Sequence, residues 1–265
     1  MTQIRVAIYQ PEARDETPSV RLDRLQSRLG DAGPGAFDLV LVPELFLSGY
    51  DVGAKIQKFA EPADGPSLKR VSEIARRFET ALAIGYPERA DQVLYNAVAV
   101  IGINGERLLD YRKRVLPPGF EGEMFIAGNS PGNFDLMGQR VAVLICYDVE
   151  FPEFVRHAAL SGAGIVLAPT ALRSKWDFVA RKMIPTRAFE NGLFLLYANH
   201  AGHEGDSEYL GGSVIVAPDG RELAIAGGGE EILSATLDTA QIGLARKRLP
   251  YLEVVANRGQ AKGLG

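Results

Sequence analysis

The stretch Val141-Ala-Val-Leu-Ile-Cys146-Tyr-Asp-Val-Glu-Phe-Pro-Glu153 changes character at a single residue. Five apolar residues run without a break into the chain's one cysteine, and a polar, acidic segment follows at once. A short, continuous apolar run rich in β-branched residues reads as a strand buried in a sheet. Pro152 suits the first turn of a helix beginning just after it. The stretch therefore reads as strand, turn and helix, with a thiol delivered to the strand's carboxyl end. Open α/β sheets place their chemistry at that edge. A lone cysteine there is either a candidate nucleophile or a small buried hydrophobe, and the stretch alone leaves both open.

The same rhythm extends in both directions. Upstream, strands are expected over 5–9, 38–43, 80–86, 95–103 and 106–111. Helices are expected over 19–29, with Gly30 as its stop, and over 67–78. Asn104-Gly105 is a hairpin turn signal. Downstream, strand 141–146 is followed by helix 152–161, strand 165–168, helix 177–191 ending at Gly192, and strand 193–198. A hairpin of 213–217 and 222–226 and a last strand at 232–237 complete the series. Gly227-Gly-Gly229 is too short for a linker and reads as a loop tip. Two αβ halves, each a sheet with helices outside, give an α/β protein built as a four-layer α-β-β-α sandwich. A single domain over 1–240 is expected. A polar tail over 241–265 follows as a candidate contributor to a dimer contact.

Composition narrows the function classes. At 265 residues, 46% hydrophobic and 23% charged, the chain can bury a core without staples. One cysteine forbids an intrachain disulfide and any metal site built on two thiolates of one chain. The net charge of −4 and the lack of a long basic run argue against nucleic acid or an anionic membrane as partner. No apolar stretch reaches bilayer-spanning length, and the N-terminus reads as a strand and not a signal peptide. The cytoplasm is the expected location.

A thiol nucleophile needs a base and donors for a developing oxyanion. The three histidines offer no Cys-His context: His157 falls one turn into a helix, and His200 and His203 lie in a loop rich in Gly, Glu and Asp. All three read as surface or loop residues. G-x-S-x-G, P-loop and H-E-x-x-H patterns are absent. Carboxylates offer another route. Glu44 follows the buried run Leu39-Val-Leu-Val42, at the same sheet edge as Cys146. Partial desolvation there would raise it toward the pKa of a useful base. It reads equally as a residue in the first turn of a helix. Lys113 ends the strand in Tyr111-Arg-Lys113, within a basic cluster of the kind that is usually solvated.

Together, Pro43-Glu44-Leu-Phe-Leu-Ser-Gly-Tyr50, Tyr111-Arg-Lys113 and Leu144-Ile-Cys146-Tyr-Asp-x-Glu-Phe-Pro-Glu153 resemble the carbon–nitrogen hydrolase (nitrilase) superfamily. The resemblance runs from the first strand to about Asp238. Within that superfamily the chain looks most like the 5-aminopentanamidases, through Ala60-Glu-Pro-Ala-Asp-Gly-Pro66, Ile84-Gly-Tyr-Pro-Glu-Arg89, Arg187-Ala-x-Glu190-Asn191 and Leu196-Tyr-Ala-Asn199. The resemblance implies an α-β-β-α sandwich, a homodimer or higher homo-oligomer, and no metal or organic cofactor. It also implies a triad of Glu44 as base, Lys113 as electrophile and Cys146 as nucleophile. A second glutamate, eight positions after the lysine, would be Glu121, with Glu123 close enough to compete. Tyr147 would lend its backbone N–H to the oxyanion, and Tyr50 falls within the first motif as a candidate substrate contact.

The substrate implied is a small linear amide, hydrolysed through a thioester. Cys146-Tyr-Asp148 differs from the Cys-Trp-Glu typical of true nitrilases. Glu150 stands where the ω-amidases that act on dicarboxylic-acid amides typically carry Arg. That charge reversal argues for a neutral or cationic substrate such as 5-aminopentanamide. Its ammonium would meet an acid among Glu150, Asp177, Glu204 and Asp206. Glu150 reads equally as a carboxylate favoured by a helix N-terminus. Trp176, in Arg173-Ser-Lys-Trp176, reads equally as a pocket wall or a subunit contact. Nitrile hydrolysis, N-carbamoyl hydrolysis and ω-amidase activity are the alternatives on the same triad.

Overall fold

The computed structural model describes residues 2–260. The first half runs β1 (Gln3–Gln10), a two-residue β2 (Glu12–Ala13), α1 (Pro18–Ala32), β3 (Leu39–Leu41), α2 (Lys55–Phe59) and α3 (Pro66–Phe78). A meander of β4 (Ala81–Ala90), β5 (Val93–Ile101) and β6 (Arg107–Arg112) follows, and α4 (Phe120–Met124) leads out of it. The second half runs β7 (Gly132–Leu136), β8 (Gln139–Val143), α5 (Tyr147–Glu150), α6 (Pro152–Leu160), β9 (Ile165–Pro169), α7 (Ile184–Asn191) and β10 (Phe194–Ala198). After it come β11 (Ala201–Glu204), β12 (Ser207–Leu210), β13 (Val214–Val216), β14 (Glu222–Ile225), β15 (Glu231–Asp238), α8 (Ala240–Arg248) and α9 (Tyr251–Gln260).

Two six-stranded sheets form, ordered β15-β1-β3-β4-β5-β6 and β14-β13-β10-β9-β8-β7. The pairs β1–β3, β3–β4, β8–β9 and β9–β10 are parallel, and every other pair in these two sheets is antiparallel. Alternation along each strand builds the layers. Ile4, Val6 and Ile8 of β1 face inward and meet Val141, Val143 and Ile145 of the other sheet. Ala7 and Tyr9 point outward onto Leu22 and Leu25 of α1 and Val71 of α3. Ala142 and Leu144 point the opposite way, onto Val155 of α6 and Ala188 of α7. Each continuous apolar run is thus buried on both faces, and the chain is the four-layer α-β-β-α sandwich. Among the described residues no helix is long and apolar enough to cross a membrane.

Several elements differ from those expected from the sequence. Helix α1 starts at Pro18 because the Thr17 hydroxyl accepts the Val20 N–H, and it passes through Gly30. It stops at Gly33, whose φ of 86° ordinary residues avoid. The single helix expected over 177–191 is broken into a 3-10 turn (Ser174–Trp176), a π-helical stretch (Val179–Met183) and α7. Pro185 has no N–H to bond the preceding turn, and the Ile184 N–H reaches back to the Val179 carbonyl, which widens that turn. Strand β7 escaped notice because its hairpin turn is Met137-Gly138, not a usual turn pair, though both residues have positive φ. The segment after 240 holds two helices: α8 buries Ile242 in the inter-sheet core, and Arg246 Nη2 donates to the Ala163 carbonyl at 2.6 Å.

Candidate active site

Three strand ends converge. Glu44 lies three residues past β3. Lys113 follows β6, which runs in the direction of β4 because two antiparallel pairings separate them. Cys146 follows β8, whose pairing to β9 continues through the Leu144 N–H to Leu167 (2.9 Å) and the Cys146 N–H to Pro169 (2.8 Å). Glu44 opens no helix; it enters a chain of turns in which Leu45 has a φ of 50°. That turn presses against Gly85, where a Cβ would sit 2.4 Å from the Pro43 carbonyl oxygen, so only glycine admits the approach.

The ammonium of Lys113, fully buried, donates to Glu44 Oε1 at 2.6 Å and to Glu121 Oε1 and Oε2 at 2.8 Å each. Asn96 Nδ2 bridges the same two carboxylates, at 2.7 Å to Glu44 and 3.1 Å to Glu121. The Tyr50 hydroxyl adds a 2.6 Å bond to Glu121. The cluster selects Glu121 over Glu123, which is exposed. Burial pushes the Glu44 carboxyl up to about 7, against the pull of Lys113 and with the help of Glu121. Burial also works against the Lys113 charge, but the two carboxylates outweigh it and hold the ammonium above its ordinary value. Glu44 Oε2 is buried and has no hydrogen-bond partner among the described residues, which leaves an acceptor free in a site where acceptors are otherwise used.

Cys146 occupies a strained backbone position, φ 46° and ψ −104°, of the kind that collects at functional sites. Burial and the Glu44 carboxylate raise its thiol pKa, while Lys113 opposes them. Thr170 Oγ1 donates to Sγ at 3.0 Å, and Tyr197 OH lies 3.2 Å from the same Oγ1. Tyr147 is the first residue of α5, so its N–H has no intrahelical acceptor. Asp148, buried beside it, accepts the Tyr111 hydroxyl (2.7 Å) and the N–H groups of Val115 (2.8 Å) and Ile145 (3.1 Å). It therefore ties the loop after Lys113 to the turn that carries Cys146.

A cavity of about 540 Å³ opens above the thiol, lined by Tyr50, Glu121, Tyr147, Glu150, Arg173 and Trp176 together with apolar residues. Of the four acids considered for a substrate ammonium, only Glu150 lines it. Glu204 is buried in an ion pair with Arg21 at 3.1 Å and accepts the Tyr50 and Asp51 N–H groups. Asp177 pairs with Arg181 at 3.2 Å, and Asp206 is exposed elsewhere. Trp176 lines the cavity at its rim and is 58% exposed, which leaves both the wall and the subunit-contact readings open.

Four residues here escaped the sequence reading. His200, expected on the surface or in a loop, is fully buried, and its Nε2 lies 2.8 Å from the Glu44 carbonyl oxygen. Burial lowers its pKa to about 4, so the ring is neutral near pH 7. The loop reading failed because β11 and β12 pair with each other and with β2 in a small third sheet. Asn96 carried a signal: it is the one polar residue between Tyr95 and Ile103 of an apolar strand that a satisfied core has no use for. Thr170 and Tyr197 carried none. His157 and His203 are exposed as expected. Among the described residues no group of three or more His, Cys, Asp or Glu side chains is placed to hold a metal ion.

Comparison with known proteins adds a family to this geometry. The model of a family described as carbon–nitrogen hydrolase matches residues 5–247. A Pseudomonas protegens protein named "Hydrolase in pqqF 5'region" is 43% identical over 252 residues, covering 94% of this chain and 88% of that one. An (R)-stereoselective amidase of a Pseudomonas species is 33% identical over 251 residues, covering 94% and 90%. The structure of a cysteine-to-alanine variant of the amidase from Nesterenkonia sp. AN1, in complex with butyramide, superposes with a TM-score of 0.83 at 33% identity, covering 93% and 95%.

Proposed function

This chain belongs to the carbon–nitrogen hydrolase family, and from that premise we propose that it is a cofactor-independent amidase acting on a small aliphatic amide whose far end carries an ammonium group, such as 5-aminopentanamide. One observation carries the reading: the only thiol of the chain lies at the floor of a cavity, beside a buried Glu-Lys-Glu cluster, with Glu150 as the acid on the wall. The relative solved with butyramide supports the amide class.

Glu44 Oε2, the free acceptor, takes the proton of the Cys146 thiol. Sγ attacks the amide carbon, and the oxygen becomes an oxyanion that Lys113 and the Tyr147 N–H stabilise. Donors of this kind are each worth about 3–4 kcal/mol. Glu44 returns the proton to the departing nitrogen, and ammonia leaves a thioester on Sγ. Glu44 then takes a proton from water as the water oxygen attacks the thioester carbon; the C–S bond breaks, the carboxylic acid departs, and Glu44 returns the proton to Sγ to restore the thiol. Glu121 touches no reacting atom in this scheme. It is a positioning residue that fixes the Lys113 ammonium and neutralises part of its charge. Beyond the reacting centre, Glu150 carries no side-chain hydrogen bond among the described residues, which supports a role in meeting a cation.

The same reading includes a homodimer, supported by the aromatic surface that Phe189 of α7 and Tyr251 of α9 expose together, their ring centroids 6.5 Å apart; sedimentation equilibrium tests it. Ammonia release from 5-aminopentanamide, butyramide, glutaramate, an aliphatic nitrile and an N-carbamoyl amine tests the reaction. The expected order places 5-aminopentanamide first. Ammonia from the nitrile alone overturns the amidase reading, and glutaramate turnover without 5-aminopentanamide turnover overturns the ammonium reading.

A further inference from the structure

We infer that Thr170 is a catalytic residue of this enzyme: its hydroxyl donates to the sulfur of Cys146, and the buried phenol of Tyr197 fixes the direction of that bond so that it stabilises the thiolate. The inference rests on Cys146 being the nucleophile and adds a second group that acts on its sulfur besides the base.

Donor and acceptor bookkeeping gives the direction. Thr170 and Tyr197 are both fully buried, so each hydroxyl proton needs an acceptor inside the protein. The Tyr197 hydroxyl has one hydrogen-bond partner among the described residues, Thr170 Oγ1 at 3.2 Å. Its proton therefore goes to Oγ1. A hydroxyl has one proton of its own, and Thr170 Oγ1 has one other neighbour in range, Cys146 Sγ at 3.0 Å. The threonine proton accordingly points at sulfur. The reverse order would strand the Tyr197 proton in the core, at the full cost of an unmade buried bond. With one sulfur lone pair occupied by Thr170, the S–H proton is left for another acceptor, and Glu44 Oε2 is a buried acceptor that no donor reaches in the resting site. When the thiol proton passes from Sγ to Oε2, the Thr170 proton stays on its oxygen and stabilises the thiolate. Nothing else is transferred.

This contact counters a specific difficulty. The half-buried thiol lies next to two carboxylates, both of which disfavour the thiolate. Lys113 offsets them only in part, because its three protons meet carboxylate oxygens in the resting site. Thr170 supplies a donor with no competing carboxylate.

Alkylation of Cys146 by iodoacetamide across pH tests the inference directly, since the chain has no other thiol to confuse the signal. T170V keeps the shape and removes the donor. It is expected to move the alkylation midpoint up by about one pH unit and to lower kcat about tenfold, with KM within about twofold. T170S keeps the donor and is expected to restore both, and Y197F shifts the midpoint in the same direction by less. A folded T170V with the wild-type midpoint and kcat overturns the inference. So does a fall in kcat with an unmoved midpoint that T170S fails to rescue, which marks a packing role. If T170V does not fold, an unmoved midpoint in Y197F overturns it and an upward shift supports it. Alkylation needs no substrate, so its failure is separable from failure of the amidase reading, which rests on ammonia release.

Discussion

At the cavity floor Lys113 is fully buried and three carboxylate oxygens lie within 2.8 Å of its ammonium, whereas at the rim Arg173 leaves 41% of its side chain exposed and meets Asp51 only at 3.7 Å. The floor is over-determined: Asn96, Tyr50 and Lys113 all bind Glu121, and Asn96 and Lys113 both bind Glu44. The wall and rim are under-determined, since half-buried Glu150 on the wall, and Arg173 and exposed Trp176 at the rim, carry charge and bulk with few partners. A pre-organised buried cluster suits a reaction whose charge always develops at the same atoms. Loosely held charges facing solvent suit the discrimination of what lies beyond them. Reaction and selectivity therefore reside in different side chains, and substitutions can separate them.

The sharpest separation comes from Lys113→Met. It strands two buried carboxylates, so turnover should vanish and stability should fall by about 3–5 kcal/mol, read by ammonia release and urea titration. Retained stability would mean that the floor is less buried than described. Next, Glu121→Gln keeps the shape and removes one charge. A kcat loss of about a hundredfold is expected, with KM nearly unmoved; a change confined to KM would transfer Glu121 to the binding surface. Glu150→Gln acts on the cavity wall and leaves the hydrogen bonds of the floor in place. It should lower kcat/KM for 5-aminopentanamide about tenfold and leave butyramide within about twofold, because the lost pair is partly solvated. Equal losses on both amides would erase the division between the floor and the wall above it.

The smallest perturbation is pH. Glu44 acts as a base only when ionised, and burial holds its carboxyl up at about 7. The ionised fraction falls about tenfold per unit below that value, so kcat/KM should climb with pH and level off above about 7. A profile already flat from pH 5.5 upward would show that Glu44 is not the limiting base.

Much of this was legible in the chain. Continuous apolar runs such as Leu39-Val-Leu-Val42 and Val141-Ala-Val-Leu-Ile145 marked strands buried on both faces, and their alternation with helices gave the layers. Glu44 and Lys113 stood at strand ends beside Cys146 at a third, and the motifs around them made the assembly readable before any geometry. What stayed hidden depends on contacts between distant segments. His200 looks like a loop residue until a two-residue strand at Glu12–Ala13 pairs with β11 and buries it under Glu44. Glu204 looks free for a ligand until Arg21, 183 residues away, claims it. Thr170 follows β9 and Tyr197 lies on the neighbouring β10, and nothing local to either segment links them to the thiol. Periodicity reports which face is buried; it does not report which buried polar atoms meet.

The proposed reaction passes through a thioester at Cys146. Intact-protein and peptide mass spectrometry of enzyme quenched in acid during turnover of 5-aminopentanamide reads it most directly. The expected result is an added 5-aminopentanoyl group on the peptide containing Cys146, absent from Cys146→Ala, which should release no ammonia. Undiminished ammonia release by Cys146→Ala, with no acyl group on the wild-type peptide, would contradict it.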